Sequence, residues 1–349
     1  VRIPPLHMSG INQRKIDHVN LVATHDELDR ERGYFDRIHL THRALPEQNF
    51  ADIDPSIMWM GKKLSFPLLI SSMTGGSDEE LIQLNRTLAC AAEAEGVALA
   101  VGSQRIMLNE SSAEESFALR EFAPTALLLG NVGAVQLNYG VGVADCREMM
   151  EVLGADGLFL HLNPLQEAVQ PEGDTKFMGL SDRIAELVKK LDHPVIVKEV
   201  GCGISECDAR LLKQAGVRYV DVAGTGGTSW SLVESKRSSD ASIGELFGDW
   251  GIPTPVALRM MKPFRSDFDL IASGGIRNGL DMAKCAILGA SLSGLARPFL
   301  QPGLESVEAV RAVIQRLKRE YITALFLLGV ESTEALIGRE ELIRDEDRN

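Results

Sequence analysis

At 349 residues, with 45% apolar and 24% charged positions, the chain has the means to bury a large core, which excludes global disorder. A formal net charge of −13 excludes a general binder of nucleic acid or anionic membrane, which needs a basic face. It leaves a phosphorylated substrate open, because a local cluster of Arg, Lys and backbone N–H groups binds phosphate on an acidic protein too. The five cysteines have neither CxxC nor zinc-finger spacing and are expected to be reduced and packed as small apolar residues. With a polar N-terminus and no apolar run of about 18 residues, the expected location is the cytoplasm.

In chain order, β-branched or Leu-rich runs fall at 67–71, 97–101, 126–129, 157–161, 194–199, 219–222, 269–272 and 291–295. They read as continuously apolar, as strands covered on both faces do. Amphipathic segments lie between them. Residues 79–95 carry Leu81, Leu84, Leu88 and Ala92 on one face, and 182–191 carry Ile184, Leu187 and Leu191. Residues 206–215 start behind Ser205, a candidate N-cap, and stop at Gly216. Residues 281–288 end at Gly289, and a long last helix over 306–328 ends at Gly329. Eight such alternations predict an α/β fold, a (β/α)8 TIM barrel, which typically takes ~250 residues. The expected layout is one domain, with an N-terminal extension over 1–64, the barrel over 65–330 and a tail over 331–349. The stretch 229–251 after the sixth strand is longer than a usual βα loop and reads as an active-site flap, or else as a partly ordered surface insertion.

Polar and Gly-rich clusters follow nearly every strand, on the side where barrels build their sites. They are Ser71 to Gly76, Gly102 to Arg105, Gly130 to Gly133, His161 to Glu167, Lys198 to Gly201, Gly224 to Thr228, Ser273 to Arg277 and Ala296 to Pro298. Gly274, Gly275 and Arg277, leading into a helix, suit phosphate, because glycine lets backbone N–H groups approach an anion; a plain tight turn is the simpler alternative. Lys198 ends an apolar strand, where an ammonium needs an anion: a ligand, or Glu199 or Asp221. Glu167, near His161 and Asn163, suits Mg2+ shared with substrate phosphates; by itself it reads as a solvated loop acid. Arg14 and Lys15 matter only if the extension folds over the barrel mouth, where they would face a diphosphate.

These clusters resemble type 2 isopentenyl-diphosphate isomerase over nearly the whole chain, from Arg14-Lys15 to Ala296-Arg297-Pro298, with His161-Leu162-Asn163-Pro164-Leu165-Gln166-Glu167 the most specific segment. The resemblance implies interconversion of isopentenyl and dimethylallyl diphosphate with FMN, Mg2+ and a reductant such as NADPH, without net redox change, in a homotetramer or larger assembly. It implies that Ser72, Met73, Thr74, Ser103, Asn131, Lys198, Thr228, Gly274, Gly275, Arg277, Ala296 and Arg297 line FMN. Arg14, Lys15, Ser103, Gln104, Arg105, His161, Asn163 and Gln166 would face substrate, with Gln166, His161 and Asn163 nearest the chemistry, and Glu167 would bind Mg2+. Where many relatives have Ser and Arg, this chain has Ala223 and Thr225, which removes one expected hydroxyl contact to the flavin phosphate.

Three rivals are separable. A 2-hydroxyacid oxidase wants a His base near the end of the seventh strand, and 251–277 contains none. A barrel resembling IMP dehydrogenase wants a Cys after the sixth strand, and 224–251 contains none. A non-catalytic flavin-binding barrel has little use for His161, Asn163, Gln166 and Glu167 together, and turnover separates it.

Overall fold

The computed structural model describes residues 8–30, 33–73, 75–108 and 110–344, with side chains from Lys15 onward. A short antiparallel hairpin, β1 (Ile57–Trp59) and β2 (Lys62–Leu64), precedes eight barrel strands. These are β3 (Leu68–Ile70), β4 (Ala98–Ala100), β5 (Leu128–Gly133), β6 (Gly157–Leu162), β7 (Val195–Glu199), β8 (Tyr219–Asp221), β9 (Asp269–Ser273) and β10 (Leu292–Leu295). All pair in parallel with their sequence neighbours, and β10 returns to β3, so the barrel is closed. Every barrel strand lies within or beside one of the eight apolar runs. The clearest shift is in β5, which runs on through Gly130, Asn131, Val132 and Gly133, so the cluster expected after that strand is part of it.

Two apolar cores follow from the geometry. Between strands and helices lies the larger, with Leu68, Leu99, Leu158, Val197, Val220 and Leu270 among its buried members. Inside the barrel, Leu69, Leu129, Phe159, Ile196, Ile271 and Leu292 fill the lumen, and the hairpin plugs its lower end with Ile57, Trp59 and Leu64. Trp59 meets Tyr219 edge to face at 5.3 Å. The lower barrel is therefore solid, which leaves the carboxyl ends of the strands for a site.

The surrounding helices start and stop on side-chain and backbone signals. Asp78 caps helix Glu79–Glu95, and Ser205 forms a capping box with Asp208 at helix Glu206–Gln214. Ser306 caps helix Val307–Leu328, which ends at Gly329 in the left-handed conformation. Leu325 and Leu328 of that helix pack into the barrel core, and Phe326 packs against it. Among the described residues no helix is long and apolar enough to cross a membrane.

Of the two readings of residues 229–251, the partly ordered insertion is the one the structure goes against: the stretch holds helices Trp230–Arg237 and Ser242–Leu246, with Val233 and Glu234 fully buried. One expectation changes. The cysteines do not all pack inside. All five are free thiols; Cys146 and Cys285 are buried, Cys90 and Cys202 are half-buried and Cys207 is exposed, on the outer face of an amphipathic helix.

Candidate active site

The carboxyl ends of the strands open on a cavity of about 290 Å3. Its roof is the N-terminal helix Met8–Thr24, which brings Lys15, His18, Val19 and Val22 over the mouth. The extension therefore folds across the barrel, the condition under which Lys15 becomes interesting. Lys15 Nζ donates to Ser103 O at 2.8 Å, on the loop after β4.

One wall is written by strand register. Gly133, His161, Lys198 and Asp221 are successive partners across β5, β6, β7 and β8. Asn131 Nδ2 donates to Ser72 Oγ at 2.7 Å, so its Oδ1 is the acceptor facing His161 Nδ1, also at 2.7 Å. That assignment puts the imidazole proton on Nδ1. Lys198, nearly buried, donates to Glu199 O at 2.8 Å, lies 3.5 Å from Asp221 Oδ2 and sits above the Phe159 ring. Of the two carboxylates named as its possible partners, Asp221 is the one beside it. The Glu199 carboxylate turns back to accept from the backbone N–H groups of Val200, Gly201 and Cys202. Burial raises the Glu199 pKa to about 7 against those hydrogen bonds.

The wall after β6 is a short helix, not a loop. Pro164 occupies the first turn of helix Pro164–Val169, and its fixed φ suits that position. Asn163, Gln166 and Glu167 are thereby drawn together. Asn163 Nδ2 donates to Gln166 Oε1 at 3.1 Å and to Glu167 Oε1 at 2.8 Å, while Asn163 Oδ1 is buried without a hydrogen-bond partner. Glu167 Oε2 accepts from Asp174 N at 2.6 Å. The Asp174 carboxylate in turn holds Arg105 Nη1 at 2.6 Å and Gln136 Nε2 at 2.9 Å. Gln166 Nε2 donates to Glu234 Oε1 at 2.8 Å, across to the helix after β8. Glu234 also meets His18 Nε2 at 3.0 Å and Arg237 Nη1 at 2.6 Å. Burial alone would raise its pKa; His18, Gln166 and Arg237 outweigh that and bring it down to about 2.

The opposite arc is glycine and arginine. A Cβ on Gly227 would lie 3.0 Å from Gly275 N, and one on Gly275 (φ +74) 2.8 Å from Gly226 C. The loops after β8 and β9 thus touch backbone to backbone, which leaves a cradle free of side chains. Arg277 and Arg297 stand beside it, after β9 and β10, and both bind Asp29.

Seventeen of the residues singled out by sequence line this cavity: Lys15, Ser72, Met73, Ser103, Arg105, Asn131, His161, Asn163, Gln166, Glu167, Lys198, Thr228, Gly274, Gly275, Arg277, Ala296 and Arg297. Gln104 does not: it is fully buried behind the wall, where it donates to Met149 O at 2.7 Å and accepts from Asn131 N at 3.1 Å. It therefore holds Asn131 in place instead of facing a ligand. The side chain of Arg14, and Thr74, lie outside the described residues. Ala223 lines the cavity without a hydroxyl, and Thr225 is buried away from it. Sequence reading misses His18, Asp29, Gln136, Trp230 and Glu234, and the supporting Asp174. Only one local signal exists, the pair Asp17-His18 next to Lys15.

The closed barrel with its side-chain-free cradle after β8 and β9 belongs with a class of flavin enzymes: the sequence profile of the FMN-dependent dehydrogenase family matches residues 161–344. Among solved structures, the flavin-binding domain of baker's yeast flavocytochrome b2 superposes with a TM-score of 0.70 at 19% identity, covering 95% of this chain and 84% of that one. Much nearer in sequence are isopentenyl-diphosphate delta-isomerases. That of Paracoccus zeaxanthinifaciens is 52% identical over 97% of this chain and 98% of its own length. That of Hydrogenovibrio crunogenus is 50% identical over 96% of this chain and 98% of its own length. The chain belongs to the isopentenyl-diphosphate delta-isomerase family.

Proposed function

We propose that the chain interconverts isopentenyl and dimethylallyl diphosphate, using FMN kept reduced by a donor such as NADPH, and Mg2+. The observation that carries this reading is that cationic groups sit on opposite arcs of one barrel mouth. Arg105 follows β4, but its guanidinium is held by Asp174, whose backbone N donates to Glu167 after β6; Arg297 follows β10, four strands round the ring from β6 and so across the barrel, with Arg277 beside it after β9. Two phosphate-bearing molecules can therefore be held face to face, a cofactor on one arc and a substrate on the other.

On the cofactor arc, the glycine cradle of Gly227, Gly274 and Gly275 fits a phosphate, with Thr228, Ala296, Arg277 and Arg297 around it. Ser72, Met73, Asn131 and Lys198 would meet the ring system. Reduced FMN, when bound, supplies an electron-rich ring and an acid–base nitrogen to an alkene that is a poor base by itself. On the substrate arc, Lys15 and Arg105 would bind the diphosphate. Among the described residues no three His, Cys, Asp or Glu side chains converge as metal ligands. Glu167 would therefore hold Mg2+ together with phosphate oxygens and water, which suits that ion, and the unpartnered Asn163 Oδ1 is a further oxygen beside it.

The side chains then have separable roles. Lys198 keeps a positive charge at the cavity wall, oriented by Asp221 and Glu199 O. Gln166, pinned by Asn163 and Glu234, presents its amide edge and positions a proton; an amide is too weak a base to act alone. His161 is oriented by Asn131 through Nδ1. Val19, Val22, Trp230 and Leu300 line the cavity with apolar surface, which keeps water from a cation-like transition state. A cytoplasmic homotetramer or larger assembly completes the reading. The exposed Ile243, Leu246 and Trp250 on the segment after β8 support self-association.

The test is anaerobic conversion of isopentenyl diphosphate by the purified protein with FMN, Mg2+ and dithionite, beside an oxidised control. Dimethylallyl diphosphate formed only in the reduced sample is the expected result. No product with FMN bound and fully reduced overturns the reading and returns the oxidase and sensor alternatives.

A further inference from the structure

Two guanidinium groups converge on one side of the cavity, and like charges do not converge without a counter-charge. Asp29 is that charge. Its Oδ2 accepts from Arg277 Nη1 and from Arg297 Nη1, each at 2.7 Å, and its Oδ1 accepts from Arg277 Nη2 at 2.7 Å. Arg277 is thus gripped by both terminal nitrogens, the planar fork that carboxylates match. The Asp29 side chain is 3% exposed, against 39% for Arg277 and 24% for Arg297. The other carboxylate on Arg297, Asp26, is 95% exposed and holds it weakly.

Asp29 is itself fixed. It forms an antiparallel bridge with Thr228, flanked by Arg30 N donating to Gly227 O and Ser229 N donating to Leu28 O. Residues 28–30 thus form a strap over the barrel mouth, which Arg30 ties down further, donating from Nε to Gly248 O at 2.8 Å and from Nη1 to Gly201 O at 2.9 Å. The strap therefore joins the loops after β7, β8, β9 and β10 from above. Nothing in the barrel strands supplies this carboxylate; it comes from the N-terminal extension.

We propose that Asp29 is a positioning residue for the phosphate end of the cofactor site: its carboxylate allows Arg277 and Arg297 to stand together, preset for a phosphate, and makes recognition of that phosphate depend on the docked strap. This rests on the FMN reading above. Removing the charge has two opposed effects. It makes the cluster more positive, which attracts a phosphate at long range. It also leaves two adjacent guanidinium groups repelling each other, with solvent to swing into. Short-range geometry outweighs the first effect, because the long-range attraction is screened by water and salt while the lost charge-assisted hydrogen bonds are direct.

The experiment compares binding of FMN and of riboflavin, which lacks the phosphate, to the apoprotein by flavin fluorescence quenching. Wild type should prefer FMN. Asp29→Asn, nearly isosteric, should weaken FMN by roughly tenfold or more, the loss expected for charge-assisted hydrogen bonds, with riboflavin changed less than about twofold. Asp29→Glu, which keeps the counter-charge, should retain the preference for FMN, and it carries the test if the Asn variant does not fold. Unchanged or tighter FMN binding in Asp29→Asn overturns the proposal, as does an equal loss of both ligands or a Glu variant as indifferent to the phosphate as the Asn variant. Wild type binding neither flavin would instead sink the proposed function.

Discussion

Glu234 is a fully buried carboxylate whose charge is held by three neighbours from three elements: His18, Gln166 and Arg237. Burial opposes ionisation, yet the net effect takes its pKa down to about 2 from an ordinary 4.5. A depressed carboxylate contributes stability that is present above the unfolded value and lost as pH falls through the folded one. Wild type should therefore lose on the order of 3 kcal/mol from this group between about pH 4.5 and pH 2. Glu234→Gln should be less stable at neutral pH and lose less over that window, read as urea midpoints at stepped pH; parallel acid limbs would remove Glu234 from the acid response. At this scale the sequence is informative for His161, Asn163, Gln166, Glu167 and Lys198, because each ends or follows an apolar strand and is costly or conspicuous there. It is silent for Asp29, whose arginine partners lie far away in the chain, and nearly so for Glu234, where only Arg237 is near, three residues on, while His18 and Gln166 are distant. Gln104 is legible in its place but not in its role, because the same strand-end position serves either to face the cavity or to brace its wall.

The elements that make the site are the ends of strands and the first turns after them. The eight apolar runs can be read because parallel strands are covered on both faces, and the helix ends at Ser205 and Gly329 because such residues satisfy backbone groups there; Ser306, read as the first helical residue, is the cap instead. The segment after β6 reads as a loop in the sequence, since the helix Pro164–Val169 is too short for periodicity to register. That helix matters: it turns Gln166 and Glu167 toward Asn163. The loops after β8 and β9 meet at Gly226, Gly227 and Gly275 with no room for a side chain. Gly275→Ala adds a Cβ 2.8 Å from backbone carbon at a φ of +74, so the loops must part. The expected cost is about 1–3 kcal/mol in apoprotein stability, with weaker FMN binding, measured by thermal melts with and without FMN. A melt and an FMN affinity equal to wild type would show that the cradle does not need its glycines.

For the whole molecule, closure is the organising fact: β10 pairs with β3, and the helices Gly279–Ile287 and Val307–Leu328 clasp the outside. They pack tightly at Gly279, where a Cβ would sit 2.3 Å from Tyr321 N and 2.5 Å from Leu317 O. Gly279→Ala should push the two helices apart and destabilise the fold by about 1–3 kcal/mol by overpacking. It should leave the cavity chemistry intact, so a shifted urea midpoint with unchanged FMN affinity is the expected pair of results. Loss of FMN at full stability would contradict it. The barrel as a whole can be read from alternation alone. The first 64 residues cannot, because they serve two unrelated surfaces: residues 57–64 plug the lower end of the barrel, while the first helix and the strap cover its mouth. A segment divided between two jobs has no single hydrophobic period.

The strap also sets a schedule for biosynthesis. Arg30 must find Gly248, 218 residues downstream, and Asp29 must find Arg277, 248 residues downstream. At roughly 5–20 residues per second, a ribosome takes on the order of ten seconds or more to deliver those partners. This segment is made well before its partners and can dock only after them, and its apolar residues spend that interval uncovered, where chaperones and proteases can reach them. Mutations in this segment should then show themselves as lower yield of folded enzyme in the cell before they show as slower catalysis in the tube.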